Sequence, residues 1–194
     1  MTKIGYVDND IDTYLSSFLS NLADFEYEDI KVTCDDTFET IIQKIIEYNC
    51  NIVILDSKLY NDSNVKTKIT GQELELVLAN RLPYIFSVVI SQNEDVNQLN
   101  YLKKYTSSNC RNNYEKSNEY YQNHLLPILK FAKNKTERFL ICFKNELSKE
   151  DGFDKMRLEN IEALLKGENK VDLTKADIDK IVELLGEIKE YGGK

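Results

Sequence analysis

One histidine, two prolines, seven glycines and no hydrophobic run near the ~18 residues of a membrane span are the scarcities of this 194-residue chain. Each excludes something. A lone His124, set beside Leu125 and Leu126, leaves no histidine cluster for a metal or a proton relay and is read as structural. Four cysteines, Cys34, Cys50, Cys110 and Cys142, stand far apart with no C-x-x-C pair, which argues for reduced thiols rather than a zinc site or a disulfide frame. Basic residues are in deficit, 25 Lys and Arg against 33 Asp and Glu, for a formal charge of -8. With a pI of about 4.9 the global field repels phosphate backbones and anionic lipid, so neither nucleic acid nor membrane is the expected partner. The opening "MTKIGYVDND" reaches acids too early for a signal peptide, and a cytoplasmic protein is expected.

What remains is ordinary for a globular protein: 42% hydrophobic and 30% charged residues, in a chain long enough for one domain plus an appendage. Short apolar runs alternate with helical spacing. "KIGYV" (3–7) predicts a strand, "DND" a loop, and Ile11, Leu15, Phe18, Leu19 and Leu22 a helix. "DIKVTC" (29–34) alternates as a second strand. The helix after it carries Phe38, Ile41, Ile42, Ile45 and Ile46 on one face, with Asp36 or Thr37 as N-cap. "NIVILD" (51–56) is a third strand, followed by a long polar connection before Gly71 opens a third helix. "PYIFSVVIS" (83–91) is a fourth strand with Pro83 at its start. Beyond Asn93 the pattern weakens. A short helix over Val96 to Leu102 and a poor fifth strand at "RNNYEKS" (111–117) are expected, then one long helix or two, with Pro127 as kink or boundary.

Strands alternating with helices predict a doubly wound parallel α/β sheet of about five strands over residues 1–133, with helices on both faces. Residues 134–194 are expected to form a helical extension. Thr174 and Asp177 resemble a capping box there, and Ile178, Ile181, Val182, Leu185 and Ile188 form an apolar stripe suited to core packing, a homodimer or a partner. The aromatic and basic "YLKKYTSSNCRNNYEKSNEYY" has the ingredients for gripping a nucleic acid strand, but its acids and the chain's charge favour a protein-facing or merely polar loop.

In such a sheet the carboxyl ends of the first and third strands are neighbours, so Asp8, Asn9, Asp10 and Asp56 should meet at one edge, where open α/β sheets place their sites. Acids held that close repel one another unless a cation lies between them, and a hard ion such as Mg²⁺ suits oxygen donors. Asp8 and Asp10 can equally cap the first helix. Ser91 brings a hydroxyl to the same edge.

Strands ending "YVDND", "VILDS" and "VVIS", with a later lysine in "YEKS", resemble the receiver domain of bacterial response regulators. The resemblance covers about residues 3 to 133. It implies a phosphoacceptor at Asp56, Mg²⁺ held by Asp8, Asn9, Asp10 and Asp56, and phosphoryl oxygens bound by Ser91 and Lys116, with Lys104 of "YLKKY" a rival for the lysine. It also implies a histidine kinase or an effector subunit as partner, and no catalysis beyond self-phosphorylation from a donor and autodephosphorylation. Asn9 stands where the family places a metal-binding acid, Gln92 where it prefers a small residue, and an insertion follows "KLYND". These departures raise a second reading, a phosphorylation-independent pseudo-receiver serving as interaction subunit of a larger bacterial complex such as a defence or stress system. A phosphohydrolase resembling the haloacid dehalogenases would want a second acid two residues beyond Asp56, and Lys58 occupies that position.

Overall fold

The computed structural model describes residues 1–60, 69–82, 84–92, 101–106 and 112–147. Along it run β1 (Thr2–Asp8), α1 (Thr13–Ser20), β2 (Phe25–Lys31), α2 (Phe38–Glu47), β3 (Ile52–Asp56), α3 (Gly71–Arg81), β4 (Phe86–Ser91), β5 (Tyr101–Lys103), α4 (Asn113–His124) and α5 (Leu126–Leu147). The five strands form one sheet in the order β2-β1-β3-β4-β5, every pair parallel. This is the doubly wound architecture the sequence predicts.

The central strands explain it. β3 is buried along its whole length, and its alternate residues face opposite ways: Ile52 and Ile54 join one core, Val53 and Leu55 the other. A strand that buries both faces needs helices above and below. Leu15, Phe18 and Leu19 of α1, Tyr121 of α4 and Leu129 and Ala132 of α5 cover the Ile54 side. Ile41, Ile42 and Ile45 of α2 with Leu74 and Leu78 of α3 cover the Leu55 side.

Local chemistry starts the helices. Thr37 and Thr70 each form a reciprocal capping box, with Thr40 and Glu73 respectively. The carboxylate of Asp12 caps α1, accepting from the N–H groups of Tyr14 and Leu15 at 2.8 and 3.2 Å, so the cap belongs to Asp12 and not to Asp8 or Asp10. α4 ends at His124 and α5 begins at Leu126, making Pro127 the second residue of a new helix, where its missing N–H costs nothing. α5 runs unbroken across residues 133 and 134.

Three expectations are corrected. β2 begins at Phe25 and ends at Lys31, paired from Thr2↔Phe25 to Asp8↔Lys31, earlier than 29–34. It is an edge strand whose Glu26, Glu28 and Asp29 hide its alternation. "RNNYEKS" is not a strand, for Asn113 to Ser117 open α4. The fifth strand is Tyr101–Lys103, so Tyr101 and Leu102 do not end a helix. The remainder of that expected helix, Pro83 and the Thr174 to Ile188 stripe lie outside the described residues, and β4 itself starts at Phe86.

Candidate functional site

Four strands of the sheet deliver polar side chains to the same edge. β1 delivers Asp8, β3 Asp56, β4 Ser91, and the residue after β5 is Lys104, whose N–H donates to the carbonyl of Ser91 at 2.7 Å. The register makes them neighbours: Val7 pairs with Leu55 and Asp56 with Ile90. Together with Asn9, Asp10, Ser57, Lys58 and Gln92 these residues line a pocket of about 250 Å³.

Lys104 organises its floor. Only 7% exposed, its ammonium lies 3.0 Å from Asp8 Oδ2, 3.3 Å from Asp56 Oδ1 and 3.9 Å from Asp12 Oδ2. One cation therefore bridges the acids that end β1 and β3, with the capping acid of α1 behind them. Asp8 is further tied by the Asp10 N–H, which donates to its Oδ1 at 3.0 Å, and by the Tyr6 hydroxyl, which donates to its Oδ2. The Lys58 N–H donates to the other oxygen of Asp56, Oδ2, at 2.8 Å. The Ser57 hydroxyl donates to that of Ser91 at 3.2 Å, leaving two hydroxyls side by side on the wall.

The electrostatics follow from burial. Burial, and then the negative charge of Asp8, raises the pKa of Asp56 above the ordinary carboxylate value despite the Lys58 N–H and Lys104. Lys104 shifts upward as well: burial opposes its charge, but Asp8 and Asp56 together outweigh burial and hold it protonated.

Gly71 sets how closely α3 approaches. A Cβ on it would stand 2.3 Å from the Asp56 carbonyl oxygen and 3.0 Å from its carbon. Only a residue without one lets the start of α3 press on the backbone that carries Asp56, where the Gly71 N–H donates to the Ser57 carbonyl at 3.2 Å.

Of the residues singled out in the sequence, Asp8, Asn9, Asp10, Asp56 and Ser91 share the pocket, and Lys116 does not. It is exposed on α4, because the segment holding it is helical; the lysine that follows the fifth strand is Lys104. Asp8 and Asp56 are buried, Asn9 is half-buried and Asp10 stands at the exposed rim. His124 is exposed with its ring 4.6 Å from that of Tyr120. Sequence reasoning passed over Asp12, Ser57 and Tyr6. Asp12 carried a signal, an N-cap residue just ahead of the apolar spacing of α1. Tyr6 carried none, since an aromatic residue in a buried strand looks like core.

For a hard cation the donors are oxygens alone: two buried carboxylates, the Asn9 amide and Asp10 at the rim. Among the described residues no group of three or more His, Cys, Asp or Glu side chains converges as a metal centre. Mg²⁺ is held through one or two carboxylates while keeping several waters, so two buried carboxylates with an amide oxygen beside them fit such an ion. Among the described residues no helix is long and apolar enough to cross a membrane.

No family model matches the chain, and no curated protein matches it. Among solved structures it is similar to the response regulator domain of Thermotoga maritima CheB, at 14% identity over 69% of this chain and 97% of that one, with a TM-score of 0.48. It is also similar to the signal receiver domain of a modulated diguanylate cyclase from Desulfovibrio desulfuricans G20, at 15% identity over 71% and 97%, with a TM-score of 0.42. A third likeness is to NtrX from Brucella abortus, solved in complex with ADP, at 13% identity with a TM-score of 0.49; there 82% of this chain matches 32% of that one, so it spans about a third of the larger protein. The fold rests on the strands themselves: an all-parallel sheet in the order 2-1-3-4-5 with acids at the ends of β1 and β3 is the receiver-like, flavodoxin-type α/β fold.

Proposed function

We propose that this chain is a cytoplasmic, receiver-like regulatory protein in which Asp56 accepts a phosphoryl group and which acts through protein contacts. One observation carries the reading: the Asp56 carboxylate ends β3 in a pocket that also holds the Lys104 ammonium at 3.3 Å and the hydroxyls of Ser57 and Ser91. That is a nucleophile surrounded by donors suited to phosphoryl oxygens.

In the reaction an ionised oxygen of Asp56 forms a bond to the donor's phosphorus while the bond from phosphorus to the donor's nitrogen or oxygen breaks. The leaving group keeps that electron pair, a histidine nitrogen taking its proton from solvent and an acyl phosphate releasing its carboxylate as the anion, and Asp56 becomes an acyl phosphate. Lys104 and Ser91 donate to the phosphoryl oxygens. Mg²⁺, held by Asp8 and Asp56 with an uncharged oxygen from Asn9 and with Asp10 at the rim, would offset the repulsion between carboxylate and incoming anion. Phosphorylation redirects Lys104 from Asp8 and Asp56 toward the new dianion, and its backbone link to Ser91 carries the change to the β4–β5 edge.

The donor is a partner histidine kinase or a small acyl phosphate. The recipient of the signal is a second protein or a second copy, and residues 134–194 are proposed as the helical extension serving that contact. Ile141, 59% exposed on α5, supports an apolar contact there.

A second reading has its own support. Asp8 already accepts from Tyr6, Lys104 and Asp10, so its carboxylate can stand hydrogen-bonded with no metal at all. That arrangement suits a pseudo-receiver, an interaction subunit working without phosphorylation. A calorimetric Mg²⁺ titration separates the two: saturable binding lost in Asp56→Asn is expected of the phosphoacceptor, and no binding favours the pseudo-receiver.

A further inference from the structure

Tyr6 is the largest group at this edge that the proposed chemistry leaves unused. Its ring is fully buried on β1 in the α1-side core, beside Ile4, Leu15 and Ile54. Packing alone would be served as well by phenylalanine or leucine. A phenol buried there needs a partner, and it has two. Its O–H donates to Asp8 Oδ2, and its oxygen accepts from the Asp12 N–H at 3.4 Å. The oxygen it donates to is also the one Lys104 approaches at 3.0 Å. Asp8 Oδ1 meanwhile accepts from the Asp10 N–H. Asp8 is thus held from three sides by the chain's own donors, and the one coming from the core is Tyr6.

We infer that Tyr6 is a positioning residue that competes with a divalent cation for Asp8, its phenol holding Oδ2 toward the core and toward Lys104. Resting on the reading of this pocket as a cation-assisted site, this adds what that reading lacks, a chain-encoded limit on how tightly the ion is held. The reason is elementary. A carboxylate oxygen that already accepts two hydrogen bonds is a poorer donor to a metal, and the ion must displace at least one of them. Lys104 can turn to Asp56 or Asp12, both within 4 Å of its ammonium. Among the described residues Asp8 is the acceptor of the Tyr6 hydroxyl, and giving it up would leave that proton buried without a partner.

The test is Mg²⁺ affinity by calorimetry in the full chain, comparing wild type with Tyr6→Phe. Tyr27→Phe serves as the matched control, since its phenol donates to Asp29 on β2, away from the pocket. Tyr6→Phe is expected to bind Mg²⁺ about tenfold more tightly, the order of one hydrogen bond to a charged group, and Tyr27→Phe to match wild type. A second measurement needs no variant: on Mg²⁺ addition the wild-type tyrosine absorbance should show the difference spectrum of one phenol released from a carboxylate. Unchanged or weaker binding in Tyr6→Phe, no binding by either protein, or a silent tyrosine spectrum in a wild type that binds Mg²⁺ would each overturn the inference. Binding by Tyr6→Phe alone would support it while removing Mg²⁺ from the wild-type function, so the two failures are distinguishable.

Discussion

Lys104→Met removes the cation from the floor of the pocket and keeps most of the side-chain volume. In the folded protein it leaves Asp8, 2% exposed, facing Asp56, 9% exposed, with no ammonium between them. Removing one partner of a buried ion pair costs about 3–5 kcal/mol, because the charge left behind stays desolvated. For a chain of this size that is a fall of about 6–20 °C in Tm. The cost must also depend on pH in a definite direction. Asp56 already sits above its ordinary value through burial and Asp8, and losing Lys104 removes a force that holds it down. The folded variant therefore binds a proton where the unfolded chain does not, and its stability falls as pH rises from about 4 through the raised folded pKa. The deficit should thus be near its full size at pH 8 and smaller at pH 5. Urea unfolding followed by far-ultraviolet circular dichroism at both values measures it. A deficit below about 1 kcal/mol at pH 8, or one of equal size at the two values, would refute the buried bridge.

Asp56→Asn should act the opposite way at neutral pH. A folded-state pKa raised above the unfolded one by burial and Asp8 means the ionised form is disfavoured by folding, so the amide should stabilise at neutral pH, a gain that fades as pH falls. Urea midpoints at pH 7 and 4 measure it, and destabilisation at pH 7 would contradict the electrostatics described. Wild-type protein should lose stability at alkaline pH as Lys104 deprotonates: its raised pKa makes its contribution complete below 10.5 and lost above the folded value, visible as a Tm that drops more steeply there than in Lys104→Met. Gly71→Ala places a methyl 2.3 Å from the Asp56 carbonyl oxygen, so α3 or the Asp56 backbone must move; a loss of about 1–3 kcal/mol in urea is expected, and a neutral substitution would mean the contact relaxes freely.

The sheet was legible wherever a strand is buried on both faces. β1, β3 and β4 are apolar runs ending on Asp8, Asp56 and Ser91, and the edge they share follows from parallel order alone. Edge strands were harder. β2 buries only Phe25 and Ile30 along a run of acids, and β5 has three half-buried residues whose Tyr101 and Leu102 also suit a helix. That failure carried the lysine with it: once the fifth strand was sought at "RNNYEKS", Lys116 took the place that belongs by topology to Lys104. Tyr6 and Ser57 were invisible for another reason. What they touch depends on which way a side chain points, and a one-dimensional pattern does not hold that direction.

The central claim, phosphoryl transfer to Asp56, is tested most directly by the intact mass of the protein after incubation with Mg²⁺ and acetyl phosphate, with Asp56→Asn alongside. One phosphoryl adduct on the wild type and none on the variant is the expected result. No adduct on either protein, or an equal adduct on both, would contradict it.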